Sequence, residues 1–132
     1  MKKRLFLASL VCMMLMWNIA SANTVSFSGK LRNYTATDDT PVSTKNDGED
    51  RFYVTLTDGT FKDGSNDSIF GGRARLAGTG AAVSHYETMD KKTKYNFGYI
   101  KNMNANDRVF LRYKIDSESK TPYMNVWGRF TA

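Results

Sequence analysis

Aromatic and cationic side chains alternate near the carboxyl end of this 132-residue chain, in a pattern that suits ligand binding. Phe110 and Arg112 occupy alternate positions of one partly apolar segment. Tyr123, Trp127 and Arg129 occupy alternate positions of the next such segment. Rings stack on sugar faces and nucleobases, and arginine pairs with phosphate or carboxylate groups. These five residues therefore predict a binding face for an anionic polymer or for another protein.

The same residues have a second interpretation, in which both faces of their strands are buried and Trp127 belongs to the core. Exposed aromatic area is limited on most proteins, and this favours the core interpretation. A third aromatic set, Tyr95, Phe97 and Tyr99, lies beside Lys94 and would join the face if its strand were a neighbour. Both interpretations stay open at the level of sequence.

Catalytic patterns receive little support. The only histidine, His85, directly follows Ser84 and lies two positions before Glu87. On an extended strand, Ser84 and His85 point to opposite faces, so the imidazole would not reach the hydroxyl. The glutamates lie in polar stretches with no apolar neighbourhood to raise a pKa, which argues against paired carboxylates for glycoside hydrolysis. We therefore predict an ordinary residue at position 85 and no enzyme activity.

Two clusters of acidic residues and glycine raise the question of calcium, which takes about six to eight oxygen ligands. In Asp63-Gly64-Ser65-Asn66-Asp67 the oxygens alternate, but Ser68 stands where a calcium loop needs glycine and Ala74 where it needs glutamate. The other cluster is Asn46-Asp47-Gly48-Glu49-Asp50. Turn formation explains both clusters. With one histidine, and its single cysteine at Cys12, the chain also lacks the usual zinc ligands. We predict no metal and no cofactor.

The amino terminus has the layout of a secretory signal peptide. Three basic residues at 2–4 precede an apolar run at 5–20, and Ala20-Ser21-Ala22 supplies small residues for the peptidase. An apolar run of about 16 residues is shorter than the roughly 20 that a membrane-spanning helix needs. We therefore predict a cleaved signal peptide at 1–22, and an exported domain without a membrane span at 23–132.

Charge and cysteine content restrict the partners of that exported domain. The whole chain has a formal net charge of +6, and three basic residues but no acidic residue lie in 1–22, so +3 remains over 110 residues. So small and dispersed a charge predicts no nucleic-acid partner. Without cysteine the domain is no disulfide scaffold and must rely on a hydrophobic core, which 110 residues can form. Outside the cytoplasmic membrane, the anionic partner would be a polymer of the cell envelope.

Period-two alternation of apolar residues dominates 23–132 and predicts β-strands. The clearest segments begin near Val25, Phe52, Val109 and Tyr123, and weaker candidates lie at 72–77, 82–88 and 95–101. Frequent Asp-Gly and Gly-Gly turns between them favour hairpins. About seven short strands with such turns predict an all-β fold, an antiparallel β-sandwich. Residues 33–50 contain little that could pack, and we predict a long polar loop there.

Three segments carry a resemblance to a known family. They are Arg73-Ala74-Arg75-Leu76, Arg108-Val109-Phe110-Leu111-Arg112 and Met124-Asn125-Val126-Trp127-Gly128-Arg129-Phe130. Together they resemble a group of small secreted Gram-positive bacterial proteins whose domain has no assigned function. Members carry a late V-x-L-R strand and a final V-x-G-x-W-like strand, whereas Trp127 precedes Gly128 here. More distantly, the plan is similar to the lactococcin-type bacteriocins, which are also small, β-rich and cysteine-free.

Pattern and resemblance lead to one functional prediction with one alternative. The resemblance implies a β-rich extracellular protein and carries no catalytic residue to this chain. We predict a small secreted or cell-wall-associated bacterial β-protein that acts by binding and not by catalysis. The alternative is a bacteriocin-like secreted toxin directed at the cell envelope.

Overall fold

The computed structural model describes residues 23–61 and 67–132, so the predicted signal peptide at 1–22 lies outside the described residues. The described part forms nine strands: β1 (Thr24–Leu31), β2 (Thr37–Asp39), β3 (Ser43–Thr44), β4 (Arg51–Gly59), β5 (Phe70–Leu76), β6 (Glu87–Met89), β7 (Lys94–Gly98), β8 (Arg108–Ile115) and β9 (Met124–Thr131). In these ranges, no helix is long and apolar enough to cross a membrane. The predicted all-β class is confirmed.

Two antiparallel sheets pack against each other. The first sheet has the strand order β1-β9-β4-β7, and the second has β2-β8-β5-β6 with β3 also paired to β8. The predicted antiparallel sandwich is therefore confirmed. The strands β8 and β9 follow each other in the chain but belong to different sheets. The connection between them carries the chain from one layer to the other.

The alternating apolar residues of the strands face inward, as their period of two predicts. The buried inward positions are Val109, Leu111, Tyr113 and Ile115 in β8, and Met124, Val126 and Phe130 in β9. Full burial of such a side chain contributes about 1.5–3 kcal/mol. A slip of one residue in either strand would expose the whole set, so burial holds the register.

Aromatic rings join the two layers at the centre of the core. Phe27 of the first sheet lies with its ring centre 5.9 Å from that of Phe70 and 5.4 Å from that of Tyr113, both in the second sheet. The Phe70 and Tyr113 rings stack at 5.0 Å. Gly29 leaves the room for this arrangement, because a Cβ there would overlap the Tyr113 hydroxyl group.

Residues 33–50, predicted as a long polar loop, are instead tied to the second sheet. They contain β2 and β3, which both pair with β8. Lys45 is fully buried: its ammonium donates to the Asp47 carboxylate at 3.2 Å and to the Glu49 carbonyl, and lies 5.3 Å from the centre of the Tyr99 ring. Backbone pairing with β8 and the hydrogen bonds of the buried Lys45 hold this segment in place. Neither interaction requires alternating apolar residues, so the sequence pattern does not indicate it.

Gly128 offers a test of how closely the first sheet is packed. A Cβ there would lie 2.5 Å from the Thr55 carbonyl oxygen and 2.8 Å from the Phe27 ring. We expect Gly128→Ala to lower the free energy of unfolding by about 1–3 kcal/mol, because backbone and core would have to shift. Urea denaturation of the parent and the variant measures this difference in the free energy of unfolding.

Gly98→Ala in the edge strand β7 is the matched control. The nearest atom to a Cβ at position 98 is 3.9 Å away, so the added methyl group meets only ordinary contact. We expect the free energy of unfolding to change by less than about 1 kcal/mol. Equal losses in the two variants would contradict the close approach at position 128.

Candidate functional site

The structure does not bring together the five residues predicted to form one face. Phe110 and Arg112 lie on the outer side of the second sheet, on β8. Trp127 and Arg129 lie on the outer side of the first sheet, on β9, and Tyr123 directly precedes that strand. This corrects the expectation of a single face. The physical reason is that the chain changes sheets between β8 and β9, so strands adjacent in sequence are not adjacent in space.

Exposure also differs among these residues. Trp127 is 43% exposed and Tyr123 47%, whereas Phe110 is only 9% exposed. Trp127 is therefore a surface residue, and the interpretation that places it in the core is wrong. The third aromatic set, at 95–99, packs partly buried against the core and does not join an outer face.

Four cationic side chains converge instead on the outer face of the second sheet. Arg73 and Arg75 come from β5, and Arg112 and Lys114 come from β8. They border a recess of about 140 Å³. We call its outward side chains the cationic recess: Thr37, Arg73, Arg75, Tyr86, Arg112 and Lys114. Arg73 stands directly opposite Arg112 in the β5–β8 pairing. Like charges at opposite positions destabilise a sheet, so this arrangement has a cost that a bound anion would offset.

Arg112 and Arg75 are held in place by the chain. The Arg112 Nε donates to Asp39 Oδ1 at 2.7 Å and its Nη2 donates to Oδ2 at 2.8 Å, a bidentate pair. This hydrogen-bonded pair raises the pKa of Arg112. The Arg75 Nη1 donates to the Gly80 carbonyl at 2.8 Å, while its Nε is buried without a hydrogen-bond partner.

The other two cations of the recess are Arg73 and Lys114. Among residues 23–61 and 67–132, neither Arg73 nor Lys114 forms an ion pair. The Lys114 ammonium lies 5.5 Å from the centre of the Tyr86 ring, which places it over a neutral wall of the recess. Among the four cations, only Arg112 is paired with a carboxylate of the described residues, so the cationic recess has an excess of positive charge that suits an anion.

Tyr86 forms that wall and is fixed by the residues behind it. Its hydroxyl donates to Asp116 Oδ2 at 2.9 Å. The ring occupies space over Gly71, where a Cβ would overlap the hydroxyl group. Burial, followed by the hydrogen bond to Asp116, raises the pKa of the Tyr86 phenol well above its ordinary value. The wall therefore stays uncharged at neutral pH.

The outer face of the first sheet carries rings and cations that are more widely spread. Trp127 stands opposite Ser28 of β1 and Asp58 of β4. The Lys94 ammonium lies 4.3 Å from the centre of the Tyr53 ring. Tyr53 alternates with the buried positions of β4 and therefore lies on the outer side of the sheet. This face supplies aromatic surface beside cations, without the convergence that marks the cationic recess.

Sequence alone singles out Arg73 and Arg75 only as part of a family-like segment. The available signal was their spacing, because the two arginines flank Ala74 and so share one side of a strand. That spacing does not show which strand lies alongside. The pairing of β5 with β8 is what adds Arg112 and Lys114 to the same surface.

Ser84 and His85 differ in their burial and in their partners. The Ser84 hydroxyl is buried, accepts a hydrogen bond from the Ala74 amide at 2.9 Å and donates to the His85 carbonyl at 2.8 Å. The His85 side chain is exposed. The Ser84 hydroxyl, which a hydrolase would need as its nucleophile, is therefore hydrogen-bonded to backbone groups on both its donor and its acceptor side.

Carboxylates of the acidic cluster at 46–50 are used within the chain. Most of the cluster at 63–67 lies outside the described residues. In the cluster at 46–50, Asp47 pairs with Lys45, and Asp50 Oδ1 accepts the Met103 amide at 3.1 Å. Within the part of the chain that the structure describes, no group of three or more histidine, cysteine or acidic residues is placed to hold a metal ion.

Comparison of the sequence with known families and with curated proteins gives no match. The resemblance to small secreted Gram-positive proteins and to bacteriocins therefore stays a prediction. Because folds host many functions, the function has to be argued from the surfaces themselves.

The buried phenols predict how stability depends on pH. Burial raises the pKa of Tyr86, Tyr99 and Tyr113 above the ordinary value of about 10. The native state therefore holds these protons more tightly than the unfolded state. Their contribution to stability is complete below pH 10 or so, and is lost as pH rises through the folded pKa values. We expect the urea midpoint to fall above about pH 10.

Two substitutions separate this effect from general alkaline damage. Tyr86→Phe removes one of the three phenols and should make the decline shallower. Tyr123→Phe removes an exposed phenol and should leave the decline as in the parent. A midpoint that is independent of pH, or equal slopes in both variants, would contradict the assignment.

Proposed function

We propose that this protein is a small secreted or cell-wall-associated bacterial β-protein that binds an anionic polymer of the cell envelope and does not catalyse a reaction. The observation that carries the proposal is the cationic recess. Four cations from β5 and β8 surround one cavity, and Arg112 alone among them pairs with a carboxylate of the described residues.

The hydrogen-bonding state of the recess favours an anion with several oxygens. Guanidinium groups bind phosphate and carboxylate through paired N–H donors. The Arg75 guanidinium is held at the recess by its hydrogen bond to the Gly80 carbonyl, so its position is set before an anion arrives. Arg112 is oriented in advance by Asp39, so it loses little freedom on binding.

The size of the recess favours a polymer over a small molecule. About 140 Å³ is well below the roughly 300–1,000 Å³ of sites that enclose drug-sized ligands. It suits one anionic group. A chain of such groups can rebind in succession, which raises affinity without a larger pocket. The signal peptide predicted at 1–22 would deliver the domain to the envelope, where polymers with repeated phosphate or carboxylate groups occur.

Binding to inorganic polyphosphate tests the proposal with a defined phosphate polymer. We expect the double variant Arg73→Gln/Lys114→Gln to raise the Kd by about tenfold or more, because each lost charge-assisted contact is worth about 1.5–3 kcal/mol before compensation. Isothermal titration calorimetry at one fixed salt concentration gives the Kd, since such binding weakens with salt.

The matched control removes one arginine and one lysine from the other sheet, as Lys94→Gln/Arg129→Gln. It should keep a Kd within about threefold of the parent, a change of under 1 kcal/mol. Equal weakening in both double variants would show attraction by net charge alone and would contradict a site. Growth inhibition of related bacteria by the parent protein would instead indicate the alternative, a bacteriocin-like toxin.

A further inference from the structure

A second cavity lies where the edge of the first sheet approaches the edge of the second. Its volume is about 260 Å³. We call its lining residues the edge groove: Ser28, Gly29 and Lys30 of β1, Asp38 of β2 and Trp127 of β9. The edge groove and the cationic recess have no side chain in common, so the two surfaces can be tested separately.

Small residues keep the edge groove open beside an exposed ring. Gly29 has no side chain, and the Tyr113 hydroxyl fills the space behind it. Ser28 stands directly opposite Trp127 in the β1–β9 pairing, and its short side chain leaves Trp127 exposed. The groove therefore combines a backbone floor, one hydroxyl group and an aromatic surface.

The Asp38 carboxylate is oriented before any ligand arrives. Its Oδ2 accepts the Tyr113 hydroxyl proton at 3.0 Å, and its Oδ1 accepts the Asp39 amide at 2.9 Å. Each carboxylate oxygen can accept a further hydrogen bond. The exposed Lys30 forms no ion pair within the described ranges and adds a donor on the same side.

We propose that the edge groove binds one pyranose unit of a glycan. A sugar ring offers an apolar face to stack on the Trp127 indole and hydroxyl groups to donate to Asp38. Lys30 and Ser28 would donate to ring and hydroxyl oxygens. The Asp38 carboxylate repels anions, which separates this groove from the chemistry of the cationic recess. A cavity of about 260 Å³ suits a single ring-sized group.

Tryptophan fluorescence reports directly on this groove. The chain has two tryptophans, and Trp17→Phe leaves Trp127 as the only indole whether or not the leader is retained. The Trp17→Phe protein is titrated with three neutral tetrasaccharides: tetra-N-acetylchitotetraose, cellotetraose and maltotetraose. We expect a saturable change in emission with at least one of them. No saturable change with any of the three would overturn the proposal.

Variants then locate the bound sugar, with calorimetry as the readout. Asp38→Asn should raise the Kd by about tenfold, since one oriented charged acceptor is lost. Trp127→Ala should abolish binding while circular dichroism stays that of a β-protein. If Trp127→Ala fails to fold, the Asp38→Asn result decides. An unchanged Kd in Asp38→Asn overturns the proposal.

Two controls distinguish the edge groove from other surfaces. Tyr123→Ala removes an exposed ring outside the groove and should leave the Kd unchanged. Arg73→Gln/Lys114→Gln should bind the sugar normally even if it loses polyphosphate, so failure of one proposal is separable from failure of the other. Equal loss in either control, or tighter binding of tetramethylammonium than of any sugar, overturns the sugar assignment.

Discussion

Contact between rings at the centre of the sandwich underlies both surfaces. Phe27 of the first sheet meets Phe70 and Tyr113 of the second, with ring centres 5.0–5.9 Å apart. These contacts and the aliphatic residues around them hold the inner faces together, at about 1.5–3 kcal/mol for each side chain fully buried. Once the inner positions of β5, β8 and β9 are set, the intervening residues must point outward. The arginines of β5 and β8 and the indole of β9 are such residues.

Tyrosines connect this core to each candidate site. Tyr113 has its ring in the core, while its hydroxyl reaches the edge and orients Asp38. Tyr86 plays a similar part on the outer face, where it walls the recess and donates to Asp116. A phenol suits this position because its ring is apolar and its tip is polar. The pH at which these phenols ionise is therefore linked to stability as well as to the shape of both sites.

The concentration of positive charge on the second sheet has a cost within the fold. Arg73 faces Arg112 across two paired strands. The exposed ion pair between Arg112 and Asp39 offsets only part of their repulsion. Local disagreement with the rules of sheet stability is expected where a surface serves a ligand. The same reasoning applies to the exposed Trp127, which would gain by burial in the core and instead borders a groove.

Alternation along each strand could be read from the sequence, and so could the all-β sandwich. The inward set of β8 and the outward positions of Arg112, Trp127 and Arg129 follow from a period of two, which is a local property of extended chain. The sequence could not show that β8 and β9 enter different sheets, and it therefore merged two opposite surfaces into one. It also missed β2, β3 and the buried Lys45, since their stability comes from partners far along the chain.

Side-chain direction within a strand is thus set by neighbours one and two residues away, which are visible in the sequence. Which strands lie side by side depends on how distant apolar faces pack, and several strand orders bury the same residues equally well. Arg73 lies opposite Arg112, and Trp127 lines the same groove as Asp38, only because of which strands lie side by side. Strand directions and faces were therefore determined locally, whereas the cationic recess required the pairing of β5 with β8 and the edge groove required the approach of the two sheets.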